Sequence, residues 1–282
     1  MFGFFQKPSR EELKAKPFPD DWAVILTRNV TLYVKLPPHD QAELHGLIHV
    51  FLAEKTFEGC GGLEMTDEVR VTIAGQACLL LLHRETQDFR RLITILVYPS
   101  AYMAHGIEPL GGGMVIAGEQ ARLGEAWVDG VVVLSWDDVL KGAFDPRDGQ
   151  NVVLHEFAHQ LDQEDGSADG APILEKRGRY ASWARVLGHE FEELREAEKS
   201  GKKTVIDGYG ATNPAEFFAV ATECFFEKPV KMKKKHPELY DELMRYYHFD
   251  PEATFASENG SSRSDSSPGR DPATIETPAF PS

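Results

Sequence analysis

Two histidines lie four residues apart in the segment HEFAH at residues 155–159, and a glutamate follows the first of them. On a helix, His155 and His159 project from the same face, one turn apart. Imidazole nitrogens suit Zn²⁺, and the carboxylate of Glu156 can reach a water molecule on the metal and take its proton. The pattern predicts a zinc-dependent peptidase with two metal ligands and a general base. The alternative is a pair of histidines that only pack inside a helix.

The residues around this segment favour a helix. Apolar residues recur at positions 153, 154, 157, 158 and 161, which is the stripe of a partly buried helix. Asp162 follows His159 by nearly one turn, and it could accept a hydrogen bond from a ligand histidine. The alternative for Asp162 is an ordinary carboxylate on the solvated face of the helix.

A catalytic zinc site needs a third protein ligand, and the strongest candidate is Glu216. Asn213 can cap the helix that contains Glu216, and Pro214 fits its first position. Glu223 lies seven residues later on the same face and is the rival candidate. Glu216 also occupies the third helical position, where a capping-box glutamate bonds to the backbone of the cap residue. The extended metzincin pattern does not follow His159.

Composition limits the class of protein. The chain has 282 residues, 42% of them hydrophobic, which is enough for one large domain or two small ones. Its 45 acidic and 30 basic residues give a net charge of −15, which argues against nucleic-acid or anionic-membrane partners and favours a cationic partner or peptide. Three scattered cysteines indicate reduced thiols, and neither a signal peptide nor a membrane span is evident. We expect a soluble cytoplasmic protein.

Helices and strands are expected on both sides of the motif. Asp40 can cap a helix that runs to Leu52, Thr66 precedes a buried helix that reaches Leu82, and an amphipathic helix is expected over 183–197. Residues 93–98, 113–117 and 130–136 have the pattern of strands. The last of these is either an ordinary core strand or an exposed strand that binds an extended substrate. The composition of residues 254–282 predicts a disordered tail after a single domain at 1–253.

Four segments together resemble the Mlc titration factor A family of bacterial zinc metallopeptidases; they lie at 98–100, 132–139, 151–162 and 209–226. The resemblance implies that His155, His159 and Glu216 bind one zinc ion and that Glu156 is the general base. The active site of this family is similar to that of the anthrax lethal factor catalytic domain, in which a tyrosine also precedes the glutamate ligand by seven residues. This implies that Tyr209 donates its hydroxyl to the oxyanion; otherwise Tyr209 is a loop residue packed over the core.

The resemblance also implies a fold and a substrate. The fold class is α+β, a zincin-like metallopeptidase with a helical N-terminal part and a mixed sheet packed on the HExxH helix. Aminopeptidase activity on peptide substrates is the expected function. The alternative is a regulator-binding protein that sequesters a transcriptional repressor of the Mlc type and keeps zinc for folding. Glu156 favours catalysis, because a structural zinc site normally has a fourth protein ligand and needs no base.

Overall fold

A computed structural model describes residues 8–84, 89–100, 107–110, 114–117 and 130–256. The strands are β1 Thr56–Gly59, β2 Thr94–Tyr98, β3 Ile107–Leu110, β4 Met114–Ala117 and β5 Val131–Ser135. The helices are α1 Arg10–Lys14, α2 Asp20–Asn29, α3 Thr31–Val34, α4 Pro38–Glu54, α5 Asp67–Leu79, α6 Trp136–Phe144, α7 Val152–Asp162, α8 Tyr180–Lys199, α9 Pro214–Glu227, α10 Pro229–Lys235, α11 Pro237–Tyr247 and α12 Pro251–Ala256. Helix α12 passes the predicted domain boundary at residue 253, and the rest of the predicted tail lies outside the described residues.

Strands β1, β2 and β5 form a three-stranded parallel sheet in the order β1-β2-β5. Alternate residues of β2 and β5 are buried, as the period of a strand requires. The α+β class is confirmed, but the predicted mixed sheet is wrong for the described strands, because β3 and β4 form a separate antiparallel pair. The alternation of buried and exposed residues along a strand does not show whether neighbouring strands run parallel or antiparallel. Helix α5 makes the crossover from β1 to β2, and that connection allows the two strands to run parallel.

The two predicted N-terminal helices are present, with one difference at a cap. Thr66 caps α5 as predicted, since its hydroxyl accepts a hydrogen bond from the backbone of Val69 at 3.4 Å. Asp40, however, does not cap α4. That helix begins at Pro38, where the fixed φ of proline suits the first position, and Asp40 lies inside the first turn with only 2% of its surface exposed.

Helix α7 carries the HEFAH segment, and all of its residues are buried. The side-chain oxygen of Asn151 caps it by accepting hydrogen bonds from Val153 and Leu154. The Asn151 amide donates to Gln76 of α5 at 3.0 Å, so the cap also joins two helices. A Cβ on Gly142 of α6 would lie 3.0 Å from the Cα of Asn151, and the absence of a side chain there lets α6 approach α7.

Helix α9 packs directly against α7, and nearly all of its residues are buried. Asn213 and Pro214 occupy the cap and first positions, as the sequence predicts. The helix predicted at 183–197 lies within α8, where Trp183 packs edge-on against Phe218 of α9 and Tyr246 of α11. Within the described part of the chain, no helix combines the length and the apolar character needed to cross a membrane.

Candidate metal centre

Three side chains from α7 and α9 bring donor atoms to one point. The Nε2 atom of His155 lies 3.0 Å from Oε2 of Glu216 and 3.2 Å from Nε2 of His159. His159 Nε2 lies 3.4 Å from the same Glu216 oxygen, and all three donor atoms fall within 4.8 Å of one another. Two imidazoles and one carboxylate are the ligand set of a catalytic zinc site, so the residues fit the metal that the sequence predicts.

Glu216 turns its carboxylate toward the histidines and not toward the backbone of its cap residue. Asn213 still accepts a hydrogen bond from the backbone of Glu216 at 3.0 Å, so the cap forms without the reciprocal half of a capping box. Burial raises the pKa of Glu216, but hydrogen bonds from His155 and His159 outweigh it and bring the pKa to about 2. The ligand alternative is therefore the one that the side-chain position favours.

Glu223, the rival ligand, contacts the other nitrogen of the same imidazole. Its Oε1 lies 2.8 Å from Nδ1 of His155, and its Oε2 accepts the backbone N–H of Asn151. A carboxylate on the far nitrogen fixes the tautomer and the orientation of a metal-binding histidine. The seven-residue spacing from Glu216 placed both carboxylates on one face, but this orienting role was not predicted.

The same contacts control protonation of His155. Burial lowers its pKa, whereas hydrogen bonds to Glu216 and Glu223 raise it, and the net result is a pKa well above the ordinary value. The two carboxylates therefore favour the protonated, positively charged form of the His155 ring.

Glu156 lies beside this cluster with 1% of its surface exposed. Neither of its carboxylate oxygens has a hydrogen-bond partner among the described residues. Burial raises the pKa of Glu156, against the attraction of His155 and His159. A carboxylate with a raised pKa accepts a proton more readily than an ordinary carboxylate.

Tyr209 lies in the 3₁₀ turn Gly208–Ala211, which begins where Asp207 accepts the backbone N–H of Tyr209 at 2.9 Å. Its ring centroid is 6.1 Å from that of His155, so the structure brings Tyr209 to the donor cluster. The ring also packs against the hydrophobic core, as the alternative reading expected. Burial, with the negative charges of Glu216 and Glu156, raises the pKa of Tyr209 to about 12, which keeps the hydroxyl protonated at neutral pH.

Asp162 is not on a solvated face. It is fully buried, and its Oδ2 accepts the backbone N–H of Gly170 at 2.8 Å because the following loop folds back over the end of α7. Burial raises the pKa of Asp162 to about 6, partly opposed by that hydrogen bond and by the nearby His159. The alternative of a carboxylate on the solvated face is wrong, since helical position alone could not reveal the returning loop.

A cavity of about 330 Å³ opens beside the donor cluster. Its walls include His155, Tyr209 and Glu223, together with the carboxylates of Asp138 and Asp207. One Asp138 oxygen, Oδ2, is buried without a hydrogen-bond partner among the described residues. A larger cavity of about 470 Å³ lies along α8, and none of the metal-centre residues line it. Because His155 lines the smaller cavity, we associate that cavity with the metal centre.

Comparison with known proteins gives a family match and several relatives. The sequence profile described as "Glucose-regulated metallo-peptidase M90" matches residues 5–248. An uncharacterized protein of Synechocystis sp., slr2042, is 40% identical over 242 residues, which cover 86% of this chain and 88% of that protein. Mlc titration factor A of Serratia proteamaculans is 34% identical over 77% of this chain and 84% of its own length. The protein of that name from Yersinia pestis is 30% identical over 79% of this chain and 83% of its own length.

Proposed function

Because the chain belongs to the glucose-regulated metallo-peptidase M90 family, which includes the Mlc titration factor A proteins, we propose that it is a zinc-dependent aminopeptidase. The observation that carries this proposal is the position of Glu156. A buried carboxylate without a hydrogen-bond partner in the described residues is unfavourable for folding alone. Beside a cluster of three metal donors, the same carboxylate has a catalytic use.

His155, His159 and Glu216 would hold the metal. Two imidazoles with one carboxylate suit Zn²⁺ better than Mg²⁺ or Ca²⁺, which prefer oxygen donors. When bound at such a site, zinc acts as a Lewis acid and lowers the pKa of water to about 7.

The side chains around these ligands would carry the proton and stabilise the developing charge. Glu156 accepts a proton from the attacking water and can return it to the leaving amine. Tyr209 keeps its proton at neutral pH and donates a hydrogen bond to the carbonyl oxygen as negative charge develops there. Glu223 holds His155 in one orientation throughout.

Specificity for a free amino terminus is supported by the cavity. Asp138 and Asp207 line it together with His155 and Tyr209, and the negative charge of the two aspartates would attract an ammonium group. The net charge of −15 also favours a cationic end of the substrate. We therefore assign this cavity to the N-terminal residue of a peptide.

Comparison of free-amino and N-blocked peptides tests this function, with Glu156→Gln as the subtraction control. We expect cleavage of the free-amino set only, and at least a ~10²-fold loss of kcat in Glu156→Gln with its zinc content unchanged. Glu216→Ala should lose the zinc ion of this centre, whereas Glu192→Gln on the exposed face of α8 should match the wild type in activity and in zinc content. Activity of Glu156→Gln equal to that of the wild type would refute the assignment of the base. Glu156-dependent cleavage of blocked peptides would instead indicate an endopeptidase.

The names of the relatives support a second candidate function. A protein called Mlc titration factor A suggests binding of the Mlc repressor, and a homologous surface could bind a repressor of that type here. If the wild type cleaves neither peptide set but binds a purified Mlc-type repressor equally well with Gln at position 156, the regulator-binding function holds. Either function is expected to operate in the cytoplasm.

A further inference from the structure

A second group of potential metal donors lies where the first turns of α4 meet the turn that follows α5. Oδ1 of Asp40 lies 3.2 Å from Nε2 of His83, while Oε2 of Glu43 lies 3.1 Å from Nδ1 of the same ring. One donor atom from each of these three residues falls within 4.8 Å of the others. His39 adds a second imidazole, whose Nε2 is 3.1 Å from the same Asp40 oxygen. None of these residues belongs to the metal centre on α7 and α9.

The carboxylate of Asp40 is the feature that points to a ligand. Asp40 is only 2% exposed, and its Oδ1 has no hydrogen-bond partner among the described residues although two imidazole nitrogens lie within ion-pair distance. The ring nitrogens of His39 and His83 are therefore close to the oxygen but do not direct an N–H at it. A buried carboxylate oxygen without a donor is unfavourable, and a cation shared with the nitrogen lone pairs would satisfy it.

His83 is held in place independently of Asp40. Its backbone has a φ of +61°, a conformation that residues other than glycine rarely adopt. Its backbone N–H donates to Oε1 of Glu43 at 2.8 Å, and its ring stacks on Phe249 with centroids 6.1 Å apart. The adjacent Arg84 donates to the carbonyl oxygen of Tyr246 and packs over its ring. The imidazole is thus presented to Asp40 by a fixed local structure.

We propose that Asp40 and His83 bind a divalent transition-metal ion of the zinc class, with His39 as the ligand from the exposed side. Glu43 would orient His83 through its far nitrogen, which is the arrangement that Glu223 makes with His155. Mixed imidazole and carboxylate donors favour Zn²⁺ over Mg²⁺ or Ca²⁺. Such an ion would cross-link the start of α4 to the chain that follows α5, so its expected role is structural.

The zinc content of the full chain after equilibrium dialysis tests this site separately from the catalytic one. We expect about two zinc ions per wild-type chain and about one in Asp40→Asn or His83→Asn. Asparagine suits position 83 because it tolerates a positive φ while removing the imidazole. The His155→Ala/His159→Ala variant should also bind about one ion, and adding Asp40→Asn to it should leave none. The exposed His189→Gln is the matched control and should keep both ions.

Two results would overturn the proposal. One is the absence of zinc from the His155→Ala/His159→Ala variant, and the other is retention of its single ion after Asp40→Asn or His83→Asn is added. Circular dichroism checks that each variant folds. If Asp40→Asn and His83→Asn both fail to fold, His39→Gln replaces them, because 77% of the His39 side chain is exposed. At least a ~10-fold weaker affinity is expected for that variant in the same background, and unchanged affinity there also contradicts the proposal.

Discussion

At the scale of single residues, the metal centre is a set of buried charges that depend on one another. His155, His159, Glu156, Glu216 and Glu223 are each less than a tenth exposed. Taking a charged group out of water is costly unless a partner compensates it, and removal of one partner from a buried pair typically costs about 3–5 kcal/mol. Glu223 and Glu216 compensate His155 at its two nitrogens. Neither carboxylate oxygen of Glu156 has a hydrogen-bond partner among the described residues, and this difference distinguishes the proposed base from the proposed ligands and from Glu223.

Replacement of Tyr209 by phenylalanine tests a role that belongs to one hydroxyl. Loss of one oxyanion donor should reduce kcat by about 10²–10³-fold and leave the zinc content unchanged. Because the pKa of Tyr209 is raised to about 12, its donor proton is lost only in strongly alkaline solution. Wild type and Tyr209→Phe should therefore have pH–rate profiles of the same shape between about pH 7 and pH 10. Tyr180→Phe, which removes a hydroxyl that binds the backbone of Leu174, is the control. A kcat of Tyr209→Phe within about twofold of the wild type would contradict the donor role.

At the scale of elements, local signals in the sequence predicted the helices of the site but not their mutual arrangement. Asn151 and Asn213 are ordinary caps, and the periodicity of the residues after them is helical, so α7 and α9 could be predicted. Whether Glu216 bonds to its own cap or to a distant histidine depends on how α9 packs on α7. That contact joins residues more than fifty positions apart, and no local pattern encodes it.

The same limit explains the remaining differences. A strand of five residues shows which side chains are buried, but its direction depends on the connection that precedes it, so the parallel sheet was not predicted. The burial of Asp162 depends on a loop that returns over the end of α7. The roles of His155, Glu156, His159, Glu216 and Tyr209 came from the motif and the resemblance, and the structure gathers these residues in one place.

Gly170 contacts α7, which carries two of the donors, and also α8 and α9, and Gly170→Ala tests the importance of these contacts. Its N–H donates to Asp162 of α7, its carbonyl oxygen accepts from Trp183 of α8, and a Cβ there would lie 2.4 Å from the carbonyl oxygen of Pro214 in α9. Its φ is +75°, which adds backbone strain to the steric clash. We expect Gly170→Ala to lower the free energy of unfolding by about 1–3 kcal/mol in urea titrations. The control is Gly188→Ala on the exposed face of α8, where no atom of the other described residues beyond its own helix turn lies within 4 Å of the new Cβ. That change should raise stability by about 0.5–1 kcal/mol, and equal effects of the two substitutions would contradict the prediction.

At the scale of the whole molecule, the three donors of the proposed zinc site come from two helices packed together inside one continuous hydrophobic core. A ligand that binds only the folded chain stabilises it by mass action, by about 2.7 kcal/mol at a hundredfold excess over Kd. Metal binding and unfolding are therefore linked, and thermal stability reports on the site without any substrate.

Two contributions to stability should change with pH in opposite directions. The contribution of protonated His155 in the zinc-free protein should fall as pH rises, and the contribution of bound zinc should grow. Without zinc, burial lowers the pKa of His155, but hydrogen bonds to Glu216 and Glu223 raise it well above normal. The protonated ring then stabilises the fold fully below the unfolded pKa of about 6.5, and this contribution is lost as pH rises through the higher native pKa. Zinc requires neutral imidazoles, so its contribution grows with pH. The difference in Tm between excess zinc and chelator should widen from about pH 6 to about pH 8. Measurement in the Asp40→Asn variant removes the second proposed site, and adding His155→Ala should abolish the widening. A difference that narrows over this range would contradict zinc binding by His155.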